Sequence, residues 1–215
     1  MIILFDLDGT LIDSTEAILE SFHNSFAVYN TPAPDDEQIK ALIGHPLDVM
    51  YKELGVDEEK IWDYVATYKE HYRKIATQKT VLLPNAKEAV EYASTFASLG
   101  IVTTKTGKYS QILMEHFGLM NKFDVLIGRE HVQHPKPHAE PILKALEWFD
   151  TDNKEVWMIG DTQLDLLSAK NAGINSIGVL SGYDTQESLK TFTNMIFCDA
   201  LEAVKYLKSR KSSHY

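Results

Sequence analysis

The run Ile2-Ile3-Leu4-Phe5, followed at once by Asp6-Leu7-Asp8-Gly9-Thr10, constrains this chain more than any other stretch. Four consecutive apolar residues predict a strand buried on both faces, as in the middle of a parallel sheet. Gly9 then lets the backbone leave the strand by a tight turn. In open α/β sheets, ligands bind in the crevice beyond the carboxyl ends of the strands, so Asp6 and Asp8 fall where chemistry is expected. Residues two apart in an extended segment point to the same side, and both acids can face one reacting group. Asp and Gly are also ordinary turn residues, so the motif needs support from the rest of the chain.

That support begins with organisation. Residues 15–29 carry Ile18, Phe22 and Phe26 at four-residue spacing, an amphipathic helix. Thr31-Pro32-Ala33-Pro34 breaks it, and Asp35 or Asp36 is placed to cap a helix bearing Ile39, Leu42 and Ile43. Pro46 suits the first turn of a helix with Leu47, Met50, Tyr51 and Leu54. Asp57 then caps a longer helix striped by Ile61, Val65, Tyr68 and Tyr72. No strand is expected across residues 15–78. From Val81 onward strand and helix alternate: helix 86–98, strand 101–104, helix 109–117, strand 125–127, helix 141–149, strand 156–159, helix 163–172, strand 176–179 and a last strand 194–197. Such alternation predicts a Rossmann-like parallel sheet with helices on both faces. The expected division is a core of residues 1–14 and 79–215 with an all-helical cap domain, 15–78, inserted after the first strand. The polar, basic stretch 207–215 reads as a frayed end.

Bulk properties narrow the partners. The 215 residues can bury a substantial core. A formal charge of −10 and a pI near 5.2 argue against nucleic acid and anionic membrane surfaces. If the substrate is an anion, the site must supply its own positive charge. Cys198 is the only cysteine, which rules out an intrachain disulfide and suits a reducing compartment. No apolar run is long enough to span a bilayer, and the first is too short for a signal sequence. The expectation is a cytoplasmic monomer or homodimer acting on a small molecule.

The polar residues at the strand ends sharpen this. Thr103-Thr104-Lys105 ends one strand with hydroxyls and free backbone N–H groups that suit a phosphate oxygen. In His134-Pro135-Lys136-Pro137, two prolines stiffen the chain around one lysine, a compact charge suited to a phosphate or a pair of carboxylates. Strand 156–159 runs into Gly160-Asp161-Thr162-Gln163-Leu164-Asp165, two more acids one helical turn apart. Four acids at two strand ends would repel one another unless a cation lies between them. An oxygen-only ligand set suits Mg²⁺. The remaining histidines show no metal-ligand spacing, and His134 and His138 are expected to flank Lys136 without binding metal. Neither a Walker loop nor a dinucleotide glycine pattern is present.

Asp6-Leu7-Asp8-Gly9-Thr10, Thr103, Lys136 and Gly160-Asp161-Thr162 with Asp165, in this order, resemble the four motifs of the haloacid dehalogenase superfamily. The helical insertion resembles the cap of its first subgroup. Ile12-Asp13-Ser14, Thr104-Lys105, His116-Phe117-Gly118-Leu119, Asn171-Ala172-Gly173 and Ser181-Gly182-Tyr183 resemble its phosphoglycolate-phosphatase-like members. The resemblance implies that Asp6 is a nucleophile forming an aspartyl-phosphate, with Asp8 as general acid and base. It implies metal ligation by Asp6, the Asp8 carbonyl and Asp161, with Asp165 a ligand through water or a support behind the ligands. Thr103, Thr104 and Lys136 would hold the phosphoryl oxygens.

Two positions depart from the family pattern. Asn85 stands where glycine is common and must accept a left-handed backbone, which Asn tolerates; Thr104 replaces an asparagine. An acid at Asp8 argues against the dehalogenase branch. The loop Ile43-Gly44-His45-Pro46-Leu47 resembles a specificity loop, with His45 the candidate contact. Arg73 is the only arginine of the insertion, which disfavours a phosphomutase needing a second anion clamp. The expected activity is Mg²⁺-dependent hydrolysis of a small phosphomonoester such as phosphoglycolate. An inorganic pyrophosphatase or a nucleotidase is the alternative, and a phospho-accepting signalling domain is the alternative of a different class.

Overall fold

The computed structural model describes residues 1–152 and 154–212. Its centre is β1 (Ile2–Phe5), fully buried along its length. Ile3 and Phe5 join one apolar cluster while Ile2 and Leu4 join another on the opposite face of the sheet, the two-faced burial expected of a central parallel strand.

After the turn come β2 (Ile12–Asp13) and four helices: α1 (Thr15–Val28), α2 (Asp36–Lys40), α3 (Leu47–Glu53) and α4 (Ile61–Lys79). Asp35 caps α2 in a capping box with Gln38, and Pro46 precedes α3. Asp57 starts a short 3₁₀ turn, Glu58–Lys60, that leads into α4 without making a side-chain cap bond. Phe22 and Phe26 of α1 pack edge-on against Tyr68 and Tyr64 of α4, with ring centroids 5.1 and 5.2 Å apart. Burying each phenylalanine is worth about 1.5–3 kcal/mol.

The chain returns through β3 (Val81–Leu82), which pairs antiparallel with β2. These two-residue strands are too short to leave a periodic signal. There follow α5 (Ala86–Ala93), β4 (Ser98–Val102), α6 (Gly107–His116), β5 (Val125–Ile127), α7 (Glu140–Leu146), β6 (Val156–Gly160), α8 (Gln163–Asn171), β7 (Asn175–Val179), α9 (Gln186–Lys190), β8 (Ile196–Phe197) and α10 (Ala200–Ser212). The sheet has six parallel strands in the order β5-β4-β1-β6-β7-β8. Residues of α5, α6 and α10 cover one face, and those of α7 and α8 cover the other. This is the expected Rossmann-like α/β fold, and β1, β4 and β6 deliver their carboxyl ends side by side.

Four local expectations are corrected. Helix 86–98 ends at Ala93, and the strand placed at 101–104 spans Ser98–Val102, because β1 pairs with it from Ile2↔Ser98 to Phe5↔Ile101. The last strand is Ile196–Phe197, shorter than 194–197. The stretch from Leu207 is no frayed end: α10 runs to Ser212, and Leu207 is fully buried with Val204. Their three-residue spacing is a helix face that the polar residues between them obscured. Residues 213–215 of that expectation lie outside the described residues. Asn85 does adopt the left-handed backbone, at φ 63°. Among the described residues, no helix is long and apolar enough to cross a membrane.

Candidate active site

The turn after β1 is built from backbone bonds: Gly9 N–H donates to the Ile12 carbonyl, and the N–H groups of Thr10, Leu11 and Ile12 all donate to the Leu7 carbonyl. Gly9 takes φ 82°. A β-carbon there would stand 2.2 Å from Asp161 Oδ2, and one at Gly182 would stand 1.9 Å from the same atom. Only glycines at both positions let the Asp161 carboxylate lie against the backbone. Thr10 Oγ1 donates to Asp161 Oδ1 at 2.8 Å, and Tyr183 N–H donates to Oδ2 at 3.0 Å.

Beside it, Lys136 reaches in from the segment before α7. Its Nζ lies 2.8 Å from Asp6 Oδ1 and 2.5 Å from Asp165 Oδ1, and it also donates to the Val102 carbonyl. All four charged groups are buried. Asp165 Oδ2 is occupied by the Thr162 N–H and hydroxyl at the start of α8. Both Asp165 oxygens are therefore engaged by protein groups, which fits the support role better than direct ligation. Asp6 Oδ2, in contrast, carries no hydrogen bond among the described residues. Thr103 lies just beyond β4, its Oγ1 accepting from the Lys105 N–H at 3.2 Å, so the hydroxyl proton is left to donate. Thr104 is differently employed: its hydroxyl donates to the Gly44 carbonyl of the helical segment at 2.8 Å.

Electrostatics follow from burial. Desolvation pushes Asp6 up to about 7; Lys136 opposes this, and Asp165 and Asp8 add to it. Asp161 is likewise raised well above the carboxylate range, by burial first and then by Asp165 and Asp6. Burial alone would lower Lys136, but Asp165 and Asp6 outweigh it and hold the ammonium charged. Asp6, Asp161 and Asp165 present oxygens within 4.8 Å of one another. Three ionised acids against one lysine would leave two negative charges in this buried site, and burial together with that repulsion is what raises Asp6 and Asp161. The donors are all oxygen, and the surplus equals one divalent cation, so these residues fit Mg²⁺.

Asp8 occupies a different environment. Its carboxylate accepts from Ser14 Oγ and pairs with Lys105 Nζ at 3.0 Å. Lys105 also lies 4.6 Å from the Tyr72 ring centroid. Burial would depress this ammonium, but the Asp8 charge raises it above the ordinary lysine range. Asp8 lines a cavity of about 240 Å³ that His45 also lines. Sequence reasoning assigned no task to Ser14, Lys105, Thr10 or Tyr183. All four stand in stretches that resemble the family, and Lys105 also follows two strand-end threonines.

Fold and carboxylate cluster together define a Rossmann-like α/β protein with a buried acidic site at the carboxyl ends of β1 and β6. A family model described as haloacid dehalogenase-like hydrolase matches residues 3–179. The protein named "Probable phosphatase IndB" from Dickeya dadantii is 32% identical over 209 residues, covering 94% of this chain and 91% of that one. Pyrophosphatase PpaX from Halalkalibacterium halodurans is 34% identical over 178 residues, covering 81% and 80%. Among solved structures, a predicted phosphoglycolate phosphatase from Haemophilus somnus superposes with a TM-score of 0.86 at 25% identity, over 96% of this chain and 97% of that one. The chain belongs to the haloacid dehalogenase-like hydrolase family and is one of its phosphatases.

Proposed function

We propose that the chain is a Mg²⁺-dependent, cytoplasmic phosphatase that hydrolyses a phosphomonoester of a small metabolite through an aspartyl-phosphate on Asp6. The observation that carries this reading is the contrast between the leading acids. Asp6 is buried beside Lys136 with one oxygen unengaged, whereas Asp8 faces a cavity able to hold a leaving group. Asp6, the Asp8 carbonyl and Asp161 would hold the metal, with Asp165 behind them. When bound, Mg²⁺ supplies the positive charge that neutralises the nucleophile and the phosphoryl oxygens.

In the first step an Asp6 oxygen bonds to phosphorus as the bond to the leaving oxygen breaks, and that oxygen takes a proton from Asp8. In the second, water bonds to phosphorus and gives a proton to the Asp8 carboxylate. The bond to Asp6 breaks and inorganic phosphate departs. Lys136 and the Thr103 hydroxyl hold phosphoryl oxygens, and the Lys136 charge offsets that of Asp6. Ser14 and Lys105 set where Asp8 sits. Residues 15–78 act as a cap that excludes water. A phospho-accepting signalling domain would share the sheet, acids, threonine and lysine, but gives no reason for a second carboxylate facing a cavity. Phosphate release from p-nitrophenyl phosphate with Mg²⁺ tests the reading. Chelator should abolish it and added Mg²⁺ restore it, and Asp161→Ala should lose it. Full turnover in excess chelator would sink the proposal.

A further inference from the structure

The acids and Lys136 account for the phosphoryl group but not for the space next to Asp8. The cavity there, about 240 Å³, is bounded by α1, α3 and α4 on one side and by the loop after β4 and the start of α6 on the other. Its size is just under the roughly 300–1,000 Å³ of pockets that hold drug-sized ligands. A glycolate or an orthophosphate would fill only a fraction of it.

The walls are apolar. Ile18, Met50 and Val65 supply aliphatic surface, and Trp62, Tyr68 and Tyr109 supply rings. Trp62 is 62% exposed although it lines the cavity, so a ligand would cover an aromatic face that is otherwise left in water.

Charge accounting narrows the occupant. On the core side Lys105 pairs with Asp8 and the Glu130 carboxylate accepts from the Gly107 and Lys108 N–H groups. Arg129, whose Nη1 donates to the Val132 carbonyl while its buried Nε has no partner among the described residues, is matched in charge by Glu130 in the same lining. The His45, Asp48 and Lys69 side chains also line the cavity, and they make no hydrogen bond or ion pair among the described residues. One imidazole, one carboxylate and one ammonium offer donors and acceptors without surplus positive charge. A leaving group with its own anion, the carboxylate of glycolate or the second phosphate of pyrophosphate, would lie against Ile18, Met50 and Val65 with no cation in excess, and burying such a charge is costly. An uncharged ring bearing oxygen and nitrogen atoms meets both the apolar walls and the mixed polar groups.

We propose that the phosphorylated alcohol is an uncharged heteroaromatic group of about nucleoside size, its ring held against the cavity walls and covering Trp62. This rests on the phosphatase reading above. Two measurements test it separately. With Mg²⁺, kcat/KM for uridine monophosphate or flavin mononucleotide should exceed that for phosphoglycolate and for pyrophosphate at least tenfold. Trp62→Ala should reduce that preference about tenfold, acting through KM, as expected for the loss of one stacking contact. Trp148→Ala, which removes an exposed tryptophan outside the cavity lining, should leave the preference as it is. Calorimetry with uridine and with riboflavin, which carry no phosphate, should detect binding to the intact protein and weaker binding to Trp62→Ala. A preference for phosphoglycolate or pyrophosphate would overturn the inference. If p-nitrophenyl phosphate is not hydrolysed, the phosphatase reading fails, and binding then decides: no heat with either alcohol would overturn the inference too.

Discussion

Asp6 and Asp8 differ in their partners, and this makes them separable by substitution. Under the proposed mechanism Asp6→Asn keeps the shape beside Lys136 but removes the nucleophile, so no phosphoenzyme should form. Asp8→Asn keeps Asp6 and the backbone carbonyl but can neither give a proton to an alkoxide nor take one from water. With an aryl leaving group it should turn over about 10²–10⁴-fold more slowly, with labelled phosphate accumulating on Asp6. Rapid quench and peptide mapping read this directly, and label on Asp8 or Asp161 would reverse the roles. Asp6 also links stability to pH. In the metal-free protein its carboxyl rises from 3.8 to about 7. Between those values the folded state binds more protons than the unfolded chain. The contribution of Asp6 to stability is therefore present at acid pH and declines as pH rises from about 4 to about 7. In chelator, the melting temperature of Asp6→Asn should fall less steeply across that window than that of the parent. Identical slopes would contradict this account.

At the scale of elements, α10 is the part whose weight is easiest to underestimate. Its sequence is polar and basic, yet Val204 and Leu207 are fully buried in the cluster shared with α5. Leu207→Ala should cost about 2–5 kcal/mol in urea unfolding, as for other large-to-small changes in a packed core. Lys205→Ala, on the exposed face of the same helix, should stay within about 0.5 kcal/mol. Similar losses for both would mean that α10 is held by its charges and not by its apolar face.

Across the whole molecule, residues 15–78 meet the chain after α4 through few polar contacts. Thr104 donates to the Gly44 carbonyl at 2.8 Å, the Thr15 and Tyr183 hydroxyls lie 3.0 Å apart, and Tyr109 donates to the Lys69 carbonyl at 3.4 Å. A single neutral hydrogen bond is worth about 0.5–1.5 kcal/mol. Thr104→Val keeps the shape and loses the bond to the Gly44 loop, so it should raise KM about two- to tenfold with little change in kcat. Steady-state kinetics decide this. A fall in kcat at unchanged KM would instead place Thr104 among the groups that stabilise the reacting phosphoryl group.

The amino-acid sequence by itself determined the buried central strand, the acids at its end, the second acid pair after Gly160 and the alternation that makes a parallel sheet. All of these are local: hydrophobic period, turn chemistry and spacing act over a few residues. The resemblance to a family with glycine at that position also pointed to Asn85 as a left-handed residue, a conformation that Asn tolerates. The tertiary structure alone decided which groups meet. Lys136 finds Asp6 across 130 positions of chain, and Thr10 finds Asp161 across 151. The engagement of both Asp165 oxygens, the pairing of Asp8 with Ser14 and Lys105, and the bond between Thr104 and Gly44 arise in the same way. None of these leaves a periodic trace, because each depends on where the closed sheet and the helices over it bring distant side chains together. The cavity wall is the clearest case: Ile18, Met50, Val65 and Tyr68 read as core residues of amphipathic helices. Only the packing of those helices over Asp8 left part of their apolar surface facing an open space.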